Sequence, residues 1–304
     1  MYDIIIVGGG PAGLTAAVYA RRAGKSVLVV EKNSFGGQIA FSPKVENIPG
    51  TVSISGAAFA DALVEQAMNL GAEVELETVT GVTKEEGFFR VTTEEGSAFE
   101  GRSLILAVGV KHRTLGLPGE NELIGNGISF CAVCDGAFYT GQNTVMIGGG
   151  NSALQEALLL SEVCTKVTVV QNLPDFTGEK ALANALLTKD NVEVFFSTLV
   201  TGYETENGSL TAVKIRSQET GLEQSIPADG AFLAVGLAPQ NDIFAHLAGL
   251  NDYGYFDSNE ACTTGTPGVF VAGDCRSKTV RQVVTASADG ATAALAACKY
   301  LDQF

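Results

Sequence analysis

The chain has no apolar run approaching the ~18 residues that a bilayer-spanning helix requires, which argues against a membrane protein. It has no basic leader either. Met1-Tyr2-Asp3 passes directly into Ile4-Ile5-Ile6-Val7, which reads as a strand rather than a signal peptide, so a cytoplasmic location is expected. Basic residues are few, 19 Lys and Arg against 34 Asp and Glu, for a formal charge of −15. Nucleic-acid affinity comes from neutralising phosphates, so a nucleic-acid partner is not expected. The two histidines, His112 and His246, lie in no metal-like cluster, and only two of the six cysteines are neighbours in sequence. Zinc wants a second pair at ligand spacing; no metal is expected.

What is present is glycine, at 36 of 304 residues, with 46% hydrophobic residues. That composition suits an α/β protein with many tight strand-to-helix turns, as two domains or one large one. Ile4 to Val7 reads as a buried parallel strand leading into Gly8-Gly9-Gly10-Pro11-Ala12-Gly13. Gly8, Gly10 and Gly13 occupy the glycine places of GxGxxG. A helix over Leu14–Ala23, stopped by Gly24, and a strand over Ser26–Val30 ending at Glu31 complete a dinucleotide-binding context. The glycines permit the turn and close approach of a pyrophosphate, the helix N-terminus attracts its charge, and the acid holds a ribose hydroxyl.

Ser34 to Gly50 is rich in turn residues and reads as a long loop near the nucleotide. A helix is expected over Ala57–Leu70, a strand over Val74–Val79 and a hairpin of Phe88–Thr93 with Ala98–Glu100. A further buried strand, Leu104–Val108, closes at Gly109. Leu117-Pro118-Gly119-Glu120 reads as a linker. The opening pattern then recurs: strand Thr144–Ile147, Gly148-Gly149-Gly150-Asn151-Ser152-Ala153, helix Leu154–Leu160, strand Lys166–Val170, and a closing strand Gly230–Val235 before Pro239. Gly268 to Asp274 is a strand ending in Gly-Asp, and Arg281–Tyr300 a helix rich in alanine. The expected fold is α/β, with two dinucleotide-binding domains (Rossmann-like, three-layer ββα), the second inserted into the first. Residues 1–116 and 240–304 form the first domain, and 117–239 the inserted one.

Cys131-Ala132-Val133-Cys134-Asp135-Gly136 is the stretch that points to chemistry. Two cysteines at this spacing close a small disulfide or present a low-pKa thiolate, and the adjacent acid can move the proton that thiol exchange requires. Alone the pair is half a zinc site, a redox dithiol or chance. The missing second pair argues against zinc, and a cytoplasmic setting makes a catalytic pair more natural than a structural one. Cys164, Cys262, Cys275 and Cys298 stand singly and read as packing residues. His246 reads as a satisfied helix residue and His112 as a surface residue near the domain junction.

With these motifs in this order, the chain resembles, over essentially its whole length, the low-molecular-weight thioredoxin reductase family of flavoproteins. Gly8, Gly10, Gly13 and Glu31 match the family's FAD fingerprint. Gly36-Gly37-Gln38 and Val45-Glu46-Asn47-Ile48-Pro49-Gly50 match its flavin-side loop, which brings in Gly37, Gln38 and Asn47. Gly273-Asp274 matches the second FAD motif, and Arg281-Gln282 begins the helix whose N-terminus lies by the isoalloxazine. The resemblance implies that Cys134 is the flavin-proximal thiol, Cys131 the interchange thiol that attacks a partner's disulfide, and Asp135 the acid/base. It further implies FAD as cofactor, thioredoxin or a similar dithiol protein as partner, a homodimer, and hinges near Pro118-Gly119 and Pro239.

The chain departs from that pattern in one place. The family reads NADPH with a glycine motif and, after the next strand, a cluster of basic residues on the 2′-phosphate. Gly148, Gly150 and Ala153 keep the first, but Gln171-Asn172-Leu173-Pro174-Asp175-Phe176-Thr177-Gly178 offers no basic residue. An NADH reader would want an acid at the strand end, and Gln171 is neutral. A nicotinamide cofactor is therefore doubtful, and reduced ferredoxin, the donor of pyridine-nucleotide-independent relatives, is favoured. NADH with relaxed recognition, or NADPH reached by Lys180 or Lys189, are the alternatives, with a second flavin in the inserted domain beside them. Docking an acidic ferredoxin to an acidic chain requires a local basic patch, for which Arg21-Arg22 and Lys111-His112-Arg113 are the candidates. A ferredoxin–nicotinamide reductase-like flavoprotein needs no cysteine pair. A non-catalytic sensor signalling through its disulfide is the reading from a different class.

Overall fold

The computed structural model describes residues 1–42 and 45–303. Pro43 and Lys44, within the loop read over Ser34–Gly50, and Phe304 lie outside the described residues. The chain forms two compact units, one of Met1–Lys111 with Ala238–Phe304 and the other of His112–Leu237.

The first unit is organised on the strand Tyr2–Val7. It lies parallel between Val27–Glu31 and Ala98–Leu106, with Glu73–Leu76 parallel on the far side of Val27–Glu31. Ile4 and Ile6 point to one face, among alanines of the helices Pro11–Arg22 and Val283–Leu301; Ile5 and Val7 point to the other, with Phe244 and Phe256. A strand buried on both faces must be apolar at every position, which is why it reads as an unbroken run. The two helices approach closely because their shared face is built from Ala12, Ala16, Ala20, Gly290, Ala293 and Ala297. A Cβ on Gly290 would stand 2.1 Å from the Ala12 carbonyl oxygen.

Two expectations in this unit are corrected. The residues read as a hairpin arm and a separate strand, Ala98–Glu100 and Leu104–Val108, are one strand, Ala98–Leu106. Gly101, which looks like a break, pairs with both Tyr2 and Phe89 and carries no side chain because Ile5 lies 2.7 Å from where a Cβ would be. Conversely, Val74–Val79 is two strands, Glu73–Leu76 and Val79–Lys84, in different parts of the sheet. Inside the Ser34–Gly50 loop there is a 3-10 turn, Gly37–Phe41.

The second unit carries a five-stranded parallel sheet in the order Val192–Phe195, Lys166–Val170, Asn143–Ile147, Gly230–Leu233, Ile128–Ser129. Met146 faces the helix Asn151–Val163 through Leu154, Ala157 and Leu160. Val145 and Ile147 face an antiparallel sheet of Thr198–Glu206, Ser209–Ser217 and Glu223–Pro227, packing on Val213 and Ile215. Sheet, sheet and helix make the three layers. The motif reading passes over the antiparallel sheet, although Asn207-Gly208, with φ of 53° and 82°, is a strong hairpin signal. Pro118-Gly119 lies inside this unit, followed by the turn Glu120–Leu123. There Glu120, 1% exposed, accepts the backbone N–H groups of Leu115 and Leu117, both at 2.9 Å.

Candidate active site

The strand Ile128–Ser129 ends one edge of the second unit's sheet, and the chain turns at once into a single helical turn, Ala132–Asp135, with Cys131 as its N-cap. One turn places residues i and i+3 on the same face. Cys131 and Cys134 accordingly meet and are joined as a disulfide, their Cα atoms 5.3 Å apart. The Cys134 N–H lies 3.1 Å from the Cys131 sulfur. When the bond opens, that amide favours a thiolate on Cys131. Val133, between them, is 59% exposed, so the outer side of the turn is apolar and accessible.

Two carboxyl groups stand behind the pair. Asp135 Oδ2 accepts the Ser129 hydroxyl at 2.6 Å, while its Oδ1 is buried without a partner, and burial raises its pKa. Ser129 Oγ also accepts the Cys131 N–H at 3.1 Å, tying the acid to the disulfide through one hydroxyl. Glu156, on the helix Asn151–Val163, accepts the Ala132 N–H at 3.1 Å. Burial, with a smaller contribution from Asp135, pushes its pKa up to about 7. The sequence reading missed Glu156. Its signal was there: it lies three residues after Ala153 and four before Leu160, on the buried face of an amphipathic helix. His112 corrects another expectation. It is half-buried, stacked on Phe130 at 4.5 Å, and burial pulls its pKa down to about 4.

In the first unit the glycine turn has the geometry its spacing implies. Gly8 has φ of +109°, and a Cβ there would stand 2.3 Å from the Ala107 carbonyl oxygen; one on Gly13 would stand 1.9 Å from the Gly8 oxygen. At Gly10, the N-cap of Pro11–Arg22, a Cβ would meet nothing nearer than 4.0 Å. Two glycines are therefore needed by the fold, and the third leaves open space at a helix N-terminus. Glu31 Oε2 accepts the Gly9 N–H at 2.7 Å, and Gly37 lies against Gly10. Gln38 donates to the Val110 carbonyl, and Asn47 Nδ2 to Gln282 Oε1 at 3.1 Å. Gln282 caps the helix Val283–Leu301 in a capping box with Thr285. Arg281 donates to the Asp274 carbonyl at 3.3 Å and lies 4.4 Å from the Tyr255 ring centroid.

The turn bearing Gly273 and Asp274 is held by Asp289, which accepts the Gly273 N–H at 3.1 Å and pairs with Arg276 at 2.8 Å and Lys278 at 2.9 Å. Asp274 Oδ1 is buried with no partner, and burial raises that carboxyl's pKa. An orphaned carboxylate oxygen and an open glycine turn fit a dinucleotide such as FAD, with hydroxyls for Asp274 and a pyrophosphate for the helix.

The echo of this turn in the second unit is built alike, down to the loop that folds back on its middle glycine: the Gly36 N–H donates to the Gly9 oxygen at 2.8 Å in the first unit. Gly148 has φ of +130° and its Cβ would stand 2.5 Å from the Ala234 oxygen. Gln171, in the position Glu31 holds in the first unit, is 3% exposed and lies over Gly149, where a Cβ would meet its amide nitrogen at 2.4 Å. The Thr177 and Gly178 N–H groups donate to the Gly149 oxygen at 2.9 and 3.1 Å. A Cβ on Gly178 would stand 2.9 Å from the Asn151 nitrogen, at the first residue of the helix. Asn151 also accepts the Glu179 N–H at 2.6 Å and donates to its carboxylate at 3.3 Å. Lys189, one of the two lysines that could have reached a phosphate, pairs with Glu162.

A family model, pyridine nucleotide-disulphide oxidoreductase, matches residues 2–290. A thioredoxin reductase of Bacillus subtilis is 37% identical over 303 residues, 100% of this chain and 96% of that one. One of Treponema pallidum is 38% identical over 302 residues, 99% of this chain and 97% of its own. The crystal structure of thioredoxin reductase from Streptococcus pyogenes superimposes with a TM-score of 0.93 at 34% identity, covering 100% of this chain and 99% of that chain.

Proposed function

The chain belongs to the pyridine nucleotide-disulphide oxidoreductase family, with the low-molecular-weight thioredoxin reductase fold, and we propose that it reduces the disulfide of thioredoxin or a similar small dithiol protein through Cys131 and Cys134. The observation that carries this is the disulfide itself, set on one helical turn whose Val133 is exposed, with a half-buried acid bonded behind it. Membership implies FAD. Gly8, Gly10, Gly13, Glu31, Gly37, Gln38, Asn47, Gly273, Asp274, Arg281 and Gln282 are the residues that would hold it, and when bound it supplies the two electrons that open the disulfide.

In this reading Cys131 is the attacking thiolate, helped by the Cys134 N–H, and Val133 gives the partner an apolar contact. Asp135, whose pKa burial raises, is the acid for the departing thiol. Cys134 closes the cycle by attacking Cys131 in the mixed disulfide. Replacing either cysteine removes the disulfide that takes up the electrons; Cys131→Ser should stop partner turnover outright, whereas replacing Cys134 should leave Cys131 trapped in a mixed disulfide with the partner. Normal thioredoxin reduction by Cys131→Ser would refute the assignment.

The donor in this reading is reduced ferredoxin rather than a pyridine nucleotide. Support comes from the stretch that follows the second glycine turn, Gln171–Gly178, which carries no basic residue and is followed by Glu179, whose carboxylate accepts from Asn151 at the start of the helix. Of the expected basic stretches, Arg21 is bound to the Leu70 and Lys25 carbonyls and His112 is neutral near pH 7. Lys32 is close enough to Lys111 to feel its charge, which makes that pair the better docking candidate in the first unit. Anaerobic bleaching of the flavin absorbance, with NADPH, NADH and reduced ferredoxin in separate cuvettes, tests this. Bleaching by ferredoxin alone is expected; rapid bleaching by NADPH would overturn the donor assignment and leave the disulfide chemistry standing.

A further inference from the structure

Ser129 bonds both the acid and the first cysteine, and the scheme above gives it no task. It ends the strand Ile128–Ser129, beside Phe232 of Gly230–Leu233, and is buried. Its Oγ lies 3.1 Å from the Cys131 nitrogen and 2.6 Å from Asp135 Oδ2.

The directions of these two bonds follow from what each atom can do. A backbone N–H can only donate, so Ser129 Oγ accepts from Cys131. The hydroxyl hydrogen then needs an acceptor of its own, and among the described residues Asp135 Oδ2 is the one within hydrogen-bond distance. Turned the other way, with Asp135 donating to Ser129, that hydrogen would be buried with no acceptor, a loss larger than the net contribution of a neutral hydrogen bond. Oδ2 is therefore an acceptor whether Asp135 is charged or neutral. Oδ1, buried with no partner, is the oxygen left to take a proton. The chain from the Cys131 N–H through the Ser129 hydroxyl to Oδ2 runs in one direction, and each bond polarises the next toward the carboxylate.

A donor aimed at a carboxylate stabilises its charged form. Burial raises the Asp135 pKa, and the Ser129 bond is the opposing influence. Asp135 shares its own turn with Cys131 and Cys134. Of the elements packed against that turn, the 3-10 turn Gly136–Tyr139 brings Tyr139, which also feels Asp229. The helix Asn151–Val163 brings Glu156 and Glu162, the latter paired with Lys189. Gly230–Leu233, beside Ser129, carries no titratable group. None of these elements brings a cation. We propose that Ser129 is a positioning residue for the disulfide exchange: it holds Asp135 by Oδ2, stabilises the carboxylate that burial disfavours, and leaves Oδ1 to receive and give up the proton. Burial alone favours the protonated acid; with Ser129 bonded, Asp135 gives up its proton and regains it within one cycle.

The exchange then balances as follows. The Cys131 thiolate attacks one sulfur of the partner's disulfide, a Cys131–partner S–S bond forms as the partner's own bond breaks, and the leaving thiolate takes the Asp135 proton. The Asp135 carboxylate, held by Ser129, accepts the proton of the Cys134 thiol. Cys134 attacks Cys131, their S–S bond re-forms, and the partner's second thiolate leaves and is protonated by water. Two electrons pass from the enzyme dithiol to the partner.

This inference rests on the proposed role of Asp135, and the experiment separates the two. FAD-loaded enzyme, pre-reduced and freed of reductant, is mixed with oxidised thioredoxin between pH 5 and 10, and its loss of thiols is followed in quenched samples. In the unmodified enzyme the rate should fall on the alkaline side as Asp135 loses its proton. D135N should be about a hundredfold slower and lack that limb. S129A should move the limb up by about one pH unit, because the carboxylate has lost its donor. S129T, which keeps the hydroxyl, should hold the limb in place. If D135N is slow while the S129A limb stays in place or moves down, or S129A is slowed equally at every pH, the Ser129 assignment is wrong and the Asp135 reading survives. If D135N exchanges at the normal rate, both fall.

Discussion

Glu156 and His112 should give the second unit two opposed pH dependences that cancel until one is removed. The Glu156 carboxyl is raised from an ordinary 4.5 to about 7 in the fold, so its contribution to stability is full below pH 4.5 and is lost as pH rises to about 7. The His112 imidazole is lowered from 6.5 to about 4, so its contribution is full above pH 6.5 and is lost as pH falls to about 4. Each difference of ~2.5 in pKa corresponds to about 3 kcal/mol. Between pH 4.5 and 6.5 one loss grows as the other shrinks, and their sum is nearly flat. Glu156→Gln should therefore match the unmodified protein near pH 4.5 and exceed it by about 3 kcal/mol at pH 8. His112→Phe, which keeps a ring on Phe130, should show the reverse, gaining about 3 kcal/mol near pH 4 and nothing at pH 8. The chain has no tryptophan, so urea unfolding at a series of pH values is best followed by far-UV circular dichroism. A difference between Glu156→Gln and the unmodified protein that is the same at pH 4.5 and pH 8 would refute the reasoning.

Asp289→Ala leaves Arg276 and Lys278, 8% and 12% exposed, without their counter-charge and should cost the first unit about 3–5 kcal/mol in urea titration. Adding Arg276→Met should recover part of that loss. Gly13→Ala drives a methyl into the Gly8 carbonyl, 1.9 Å away, and should cost about 1–3 kcal/mol or more of stability in urea titration and lower the flavin content. Gly10→Ala has room for its methyl, so it should change stability by no more than about 1 kcal/mol while sharply reducing the FAD retained on gel filtration. Gly10→Ala with undiminished flavin would place the pyrophosphate elsewhere.

The parts of the fold that could be read in advance are those where one residue has one reason. Ile4 to Val7 is apolar because both faces of its sheet are covered, and Gly8 and Gly13 are glycine because a carbonyl stands where a side chain would go. Gly101 resisted reading because its reason is a neighbour, Ile5, nearly a hundred residues earlier in the chain. The 198–227 sheet has a half-solvated face, so its apolar residues are diluted by Glu204, Lys214 and Glu223, and the Asn207-Gly208 turn is the local signal that marks it. At the site, spacing alone located the disulfide, but not what stands behind it. Glu156 reaches Ala132 across 24 residues, and a glutamate on a helix looks like a solvated one until the helix is packed. The missing cations after Lys166–Val170 were legible as absences. That Gln171 and Gly178 would lie over the turn itself was not, because it depends on how the 171–179 loop folds back.

A protein that trades sulfur bonds is exposed to its own chemistry, and the fate of its four unpaired cysteines decides whether it scrambles. Cys164, Cys262, Cys275 and Cys298 are all buried, and burial raises the pKa of each. Kept from water, they are poor nucleophiles and poor targets. The folded chain thus presents a single reactive sulfur couple to its surroundings. An oxidant or a wrong partner seeking a thiol in this protein finds Cys131 and Cys134, so oxidation of its thiols to a disulfide by peroxide should be confined to the reduced enzyme and reversed by the same electrons that drive its work.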